Sequence, residues 1–156
     1  MLDVDRLRTY VDDHLAGAQV ALGLLERLEP DPADGLDLER LQREIEEDRA
    51  LLVGALERLG ERPGGVKRAA GWIAQQLSRP KLPDDRALGR FEAFELLGLG
   101  ILGKRGLWRA LAALGEPLPL DPGQLAALEQ RALDQWERVE RARLTWAREA
   151  LRDGGG

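Results

Sequence analysis

The chain has 156 residues, of which 33% are charged and 44% hydrophobic, with a net charge of −5 and no cysteine. One domain of this length buries roughly 68–70% of the surface its unfolded chain exposes, so it folds without a covalent staple. The composition excludes disulfides, thiolate metal centres, iron–sulfur clusters and cysteine nucleophiles, and the acidic balance argues against nucleic acid as a partner.

Catalytic side chains are scarce. Asparagine is absent, and Ser78, Thr9, Thr145, His14 and Tyr10 are the whole supply of serine, threonine, histidine and tyrosine. Nucleophilic catalysis has few groups to draw on, so a non-catalytic protein without a cofactor is expected. The first ten residues lack the apolar core of a signal peptide. The longest apolar run, residues 96–103, falls far short of the roughly 20 residues a membrane span needs. A cytoplasmic protein without membrane contact is expected.

In chain order, Val4, Leu7, Val11, His14, Ala18, Ala21, Leu25 and Leu28 step by three and four, the spacing that lines one face of a helix. Residues 29–32, Glu-Pro-Asp-Pro, end that helix, because proline lacks the amide donor and restricts its predecessor. A second stripe runs through Leu38, Leu41, Ile45, Asp48, Leu52, Ala55 and Leu59. Asp37 is its N-cap, Gly60 its close, and Pro63 follows. The short connection makes the two helices an antiparallel hairpin.

Val66, Ala69, Ala70, Ile73 and Leu77 predict a short amphipathic helix ending near Arg79-Pro80. A third long helix over 88–114 would bury Phe91, Phe94, Leu97, Ile101, Trp108 and Leu111. Its Gly98, Gly100, Gly103 and Gly106 each cost about 1 kcal/mol against alanine, which suggests a close neighbouring backbone or a kink. Asp121, Pro122 and Gln124 form a capping signature for the last helix. That helix would bury Leu125, Leu128, Ala132, Val139, Trp146 and Ala150, with Trp136 beside the stripe. Asp134/Arg138 and Glu137/Arg141 would pair on its solvated face. Residues 1–152 are read as a single helical domain and 153–156 as a frayed tail. No strand-like alternation and no long repeat is present.

The glycine and lysine spacing of residues 98–104 imitates a phosphate-binding loop. Arg105 stands where a serine or threonine must ligate magnesium, and no strand precedes it, so that reading is rejected. His14 and Asp48 are the polar residues at seam positions. In a hairpin joined near residue 33, Ala18 falls opposite Asp48 and His14 opposite Leu52, which puts the two about one turn apart. A buried polar group without a partner costs several kcal/mol, so His14 and Asp48 are expected to form a polar core pair that fixes register. The alternative is a metal or ligand site inside the bundle, with His14, Asp48, Glu44 and, from the third helix, Glu92 or Glu95 as candidate ligands. Asp12 and Asp13 point away from His14 on a helix and are read as surface residues. The block 62–90 is basic and the block 26–61 acidic, a pattern that serves solvated faces or head-to-tail pairing of subunits. Trp72, beside the basic residues, is a candidate interface anchor.

Residues 10–18 (Tyr-Val-Asp-Asp-His-Leu-Ala-Gly-Ala), 44–48 (Glu-Ile-Glu-Glu-Asp) and 103–108 (Gly-Lys-Arg-Gly-Leu-Trp) resemble an uncharacterised family of small bacterial helical proteins. The resemblance implies an all-α, ferritin-like up-down four-helix bundle of two antiparallel hairpins, with an extra short helix in the middle connection. It does not carry ferritin iron chemistry, because this chain has one histidine and no Glu-x-x-His. The expected function is protein–protein contact, as a homo-oligomer. The alternative is a ferritin-like domain that binds a metal ion or small ligand near His14 and Asp48.

Overall fold

In the computed structural model, residues 2–61, 85–115 and 118–152 are described. They form four long helices: α1 Val4–Leu25, α2 Leu38–Arg58, α3 Arg86–Ala113 and α4 Pro122–Ala150, with a 3-10 turn at Pro32–Asp34. No strand occurs among the described residues, which are all-α. None of these helices is long and apolar enough to cross a membrane. The expected short helix around residues 66–77, with Trp72, Ser78 and most of the basic block, lies outside the described residues, as does the tail 153–156.

Each helix starts where a short acidic side chain can satisfy its open amides. Asp3, Asp37, Asp85 and Asp121 are the four N-caps. At α4 the capping box is complete: the Asp121 carboxylate accepts from the Gln124 amide, and the Gln124 side chain accepts from the Asp121 amide, both at 2.9 Å. The end of α2 is equally determined. Gly60 takes φ +79°, the Glu61 amide donates to Leu56 O and the Gly60 amide donates to Glu57 O, the paired bonds of a glycine-closed helix end. Gly35, at φ +59°, turns the chain out of the 3-10 segment towards α2.

The helices share one apolar core that includes Val11, Leu15, Leu41, Ile45, Phe94, Trp108 and Val139. Burying each such leucine or valine contributes about 1.5–3 kcal/mol. α3 and α4 run antiparallel and pack closely, with Gly98 against the Trp136 indole and Arg143 reaching Glu95 at 3.2 Å. α1 packs on α2 and α3. Arg8, near the start of α1, donates to Glu61, just past the end of α2, at 2.9 Å, so these helices are antiparallel too. α2 and α4 are tied by long charged side chains described below.

Several details depart from the sequence reading. In α1 the buried line runs through Leu7, Val11, Leu15, Leu22 and Leu25, while His14, Ala18 and Ala21 sit half-buried on its shoulder. Asp12 is buried and Asp13 exposed, so only one of the two aspartates is a surface residue. Arg138 reaches Glu44 on α2 and only the backbone carbonyl of Asp134, whose carboxylate instead accepts from Gln130.

The α3 glycines do not all serve close packing. A Cβ at Gly98 would meet Trp136 at an ordinary 3.7 Å, whereas one at Gly100, Gly103 or Gly106 would meet nothing within 4 Å. α3 is unbroken through all four. Gly106 is exposed, so Gly106→Ala should raise stability by about 0.5–1 kcal/mol through backbone entropy alone. A thermal melt checks this, with an expected rise of about 1–4 °C for a chain of this size.

Candidate functional site

Two buried polar clusters tie the helices together. In the first, Asp48 on α2 is 1% exposed and Gln135 on α4 is fully buried. Lys104 on α3 donates to Asp48 Oδ2 and to Gln135 Oε1. Arg131 on α4 donates to the other Asp48 oxygen and, at 2.8 Å, to Glu47. Glu44, one turn before Asp48, accepts from Arg138, from Gln135 at 3.1 Å and from Arg40 at 2.8 Å. Three carboxylates (Glu44, Glu47, Asp48) thus meet three cations drawn from α3 and α4 (Lys104, Arg131, Arg138).

Burial pushes the Lys104 ammonium below its ordinary range, opposed by the neighbouring Asp48 carboxylate. Burial also opposes ionisation of Glu44, but the bonds from Arg138, Gln135 and Arg40 outweigh it and leave its carboxyl below the usual value. Stability contributed by Glu44 is therefore present above pH 4.5 and lost as pH falls through its lower folded value.

The second cluster centres on Asp34 in the 3-10 turn. Asp34 is 2% exposed and accepts from Arg90 Nε and from Trp146 Nε1, each at 2.9 Å. Arg90 also donates to the Glu29 carbonyl at 2.9 Å. One loop carboxylate thus clamps the α1–α2 connection onto α3 and α4.

The expected pairing of His14 with Asp48 is not what the side chains make. Both oxygens of Asp48 are engaged by Lys104 and Arg131, while the His14 ring meets Tyr10 edge-on at 4.8 Å between centroids. The cause is the abundance of cations on α3 and α4, which hold a carboxylate more strongly than a neutral imidazole does. Nor do the candidate metal ligands converge. Glu44 is held by Arg138, Glu95 is exposed and paired with Arg143, and Glu92 is exposed. Among the described residues, no group of three or more histidine, aspartate or glutamate side chains is placed to hold a metal ion.

His14 on α1 and Asp48 on α2 instead both line one cleft of about 180 Å³ between α1, α2 and α3. Small residues border it: Gly17, Ala18 and Ala21 on α1 and Gly100 and Gly103 on α3. Ile45, Leu52, Ile101 and Leu107 make its walls apolar. Its polar edge consists of Asp13, His14, Asp48, Arg49 and Lys104. Among the described residues, no serine, threonine or tyrosine lines it, and those that do give it a shaped apolar space with a charged edge.

His14 is pushed below its ordinary 6.5 by burial, with the Asp13 charge acting the other way. The folded protein then binds fewer protons than the unfolded chain between those two values. Stability should accordingly fall as pH drops from 6.5 through the folded value, and the effect of His14 should vanish above 6.5. His14→Gln should flatten the part of the stability–pH curve just below 6.5. Urea midpoints measured across that range for both proteins check this.

Comparison with protein-family models, with curated proteins and with solved structures finds no match to this chain. The functional reading therefore rests on the residues of the cleft.

Sequence reading located Asp48 and His14 but missed Lys104, Gln135 and Arg49. Two of these carried a signal. Lys104 continues the seam Phe94, Leu97, Ile101, and Gln135 interrupts Leu128, Ala132, Val139, Ala142 at the same spacing. Arg49 stands beside the α2 seam and looks like any solvated arginine in a sequence.

Proposed function

We propose that this chain is a non-catalytic, ferritin-like up-down four-helix bundle that binds a small, apolar-bodied molecule in the cleft beside His14 and Asp48. The observation that carries the reading is the cleft itself. A cavity of about 150 Å³ lined by apolar side chains is known to accept benzene or xenon, and this one reaches about 180 Å³. The cleft opens to solvent beside Gly100 and Gly103, and an apolar body seated in it would cover the Ile45, Leu52, Ile101 and Leu107 walls and gain dispersion contacts there. Four of its residues (Gly17, Ala18, Gly100, Gly103) are small where larger apolar ones would close it.

The test is a titration of the protein with benzene, followed by amide chemical shifts. The expected result is saturable shifts confined to α1, α2 and α3 around the cleft, abolished by Ala18→Leu. Shifts that do not saturate, or that leave these helices untouched, overturn the reading.

A second reading is favoured by a different observation. Leu96, Leu99 and Leu102 on α3 are 50%, 61% and 39% exposed, a row of large apolar side chains on one helix. It supports a homo-oligomer formed through α3. Sedimentation should then show a defined oligomer that Leu99→Glu converts to monomer; a monomer at every concentration removes this reading.

A further inference from the structure

From the charges around the cleft, we infer that its ligand is an anion: a small carboxylic acid with an apolar aromatic or branched body, whose carboxylate is received by Arg49 and Lys104. The inference rests on the cleft being a ligand site and adds the chemical class that it takes.

Among the described residues, the arginines shielded from solvent almost all hold a carboxylate. Arg8, Arg90, Arg105, Arg131, Arg138 and Arg143 each form an ion pair. Arg49 is the exception: it is half-buried, lines the cleft, and its Nε is buried without a hydrogen-bond partner. A guanidinium removed from water and left unpaired is costly, and its planar donors fit a carboxylate.

The neighbouring acids do not satisfy it. The oxygens of Asp48 are taken by Lys104 and Arg131, and Asp13, exposed at the mouth, forms no ion pair with Arg49. With the Glu44, Glu47, Asp48, Lys104, Arg131 and Arg138 cluster paired internally, two charges on this edge are left without an ion pair among the described residues: Asp13, which is exposed and solvated, and Arg49, whose Nε is shielded from water.

Lys104 adds a second donor. An ammonium has three N–H groups; one goes to Asp48 and one to Gln135, which leaves a third on a residue that lines the cleft. Burial keeps His14 neutral at pH 7, so it contributes one donor and one acceptor rather than a second charge. Beyond this edge the walls are Ile45, Leu52, Ile101 and Leu107, which favour a hydrocarbon body over a sugar or a phosphate.

The test uses three probes of one shape and different charge: benzoate, benzyl alcohol and benzylamine. Each is titrated at pH 7 into the full chain and into Arg49→Gln, followed by amide shifts of the cleft helices. Arg49 makes no ion pair and its Nε is unpaired, so the variant should melt no lower than the wild type. Benzoate should bind about tenfold more tightly than benzyl alcohol, the gain expected of partly exposed charge-assisted contacts, and Arg49→Gln should remove most of that difference, Lys104 holding the rest. Equal binding of benzoate and benzyl alcohol, preference for benzylamine, or an unchanged preference in Arg49→Gln overturns the anionic ligand while the cleft remains a ligand site. Failure of all three probes to bind overturns both readings together.

Discussion

Asp48→Ala is expected to destabilise the protein by about 3–5 kcal/mol, the range for breaking a buried ion pair by removing one partner. The loss follows from what Asp48 holds. It is the carboxylate that receives Lys104, and it shares Arg131 with Glu47. Removing it leaves the Lys104 ammonium with Gln135 as its remaining hydrogen-bond partner and the Arg131 charge beside it. Urea unfolding should show a lower midpoint at unchanged slope, and the melting temperature should fall by roughly 6–20 °C. The double variant Asp48→Leu/Lys104→Met should recover much of the loss, because a buried pair exchanged for apolar residues is often close to neutral. If Asp48→Ala costs less than about 1 kcal/mol, the cluster is no more than a surface ion pair in its energetics.

Asp34→Ala should cost a similar amount, about 3–5 kcal/mol, for a different reason. Asp34 lies in a short 3-10 turn with no periodic packing of its own, yet it receives both the Arg90 guanidinium and the Trp146 indole N–H. Its loss leaves two buried donors open on α3 and α4 and frees the α1–α2 connection from α4, while Arg90 to the Glu29 carbonyl and Arg86 to Asp31 still hold it to α3. Asp34→Asn retains an acceptor for Trp146 while removing the charge that Arg90 needs, so its loss should be intermediate. Calorimetric melts of the three proteins give the order wild type, Asn, Ala. An Ala variant as stable as the Asn variant contradicts the role assigned to the carboxylate.

The fold was legible where local chemistry repeats. Asp37, Gly60 and the Asp121/Gln124 box mark helix ends because the open amides and carbonyls there need particular side chains. The steps of three and four along α2 and α4 mark the buried faces. The first stripe misled by one shoulder, because alanine and glycine fit equally beside a core and beside a cleft. His14, Ala18 and Ala21 step as regularly as Leu7, Val11 and Leu15, and only the neighbouring helices decide which row is covered. The same ambiguity affected the α3 glycines: Gly98 packs against Trp136, whereas Gly100 and Gly103 border open space.

The site was half legible. A polar residue at a seam position announces a buried polar contact, and that rule found Asp48. Applied to α3 and α4, it also finds Lys104, Gln135 and Arg90, each of which continues an apolar row. Which of them meets which is not a local property. Asp48 could have faced His14 across the hairpin, and it took Lys104 and Arg131 because the second hairpin presents two cations at that level. Asp34 gives no periodic signal at all; its role depends on Arg90 and Trp146, which are 56 and 112 residues away along the chain.

The most direct test of the cleft as a ligand site is the crystal structure of the protein under xenon pressure. Xenon seeks apolar space of about this size and reports on shape without regard to charge. The expected result is a xenon atom between α1, α2 and α3, within van der Waals contact of Ala18, Leu52 and Leu107, and absent from an Ala18→Leu crystal. Unoccupied space between those helices, or side chains that have closed it, would contradict the account.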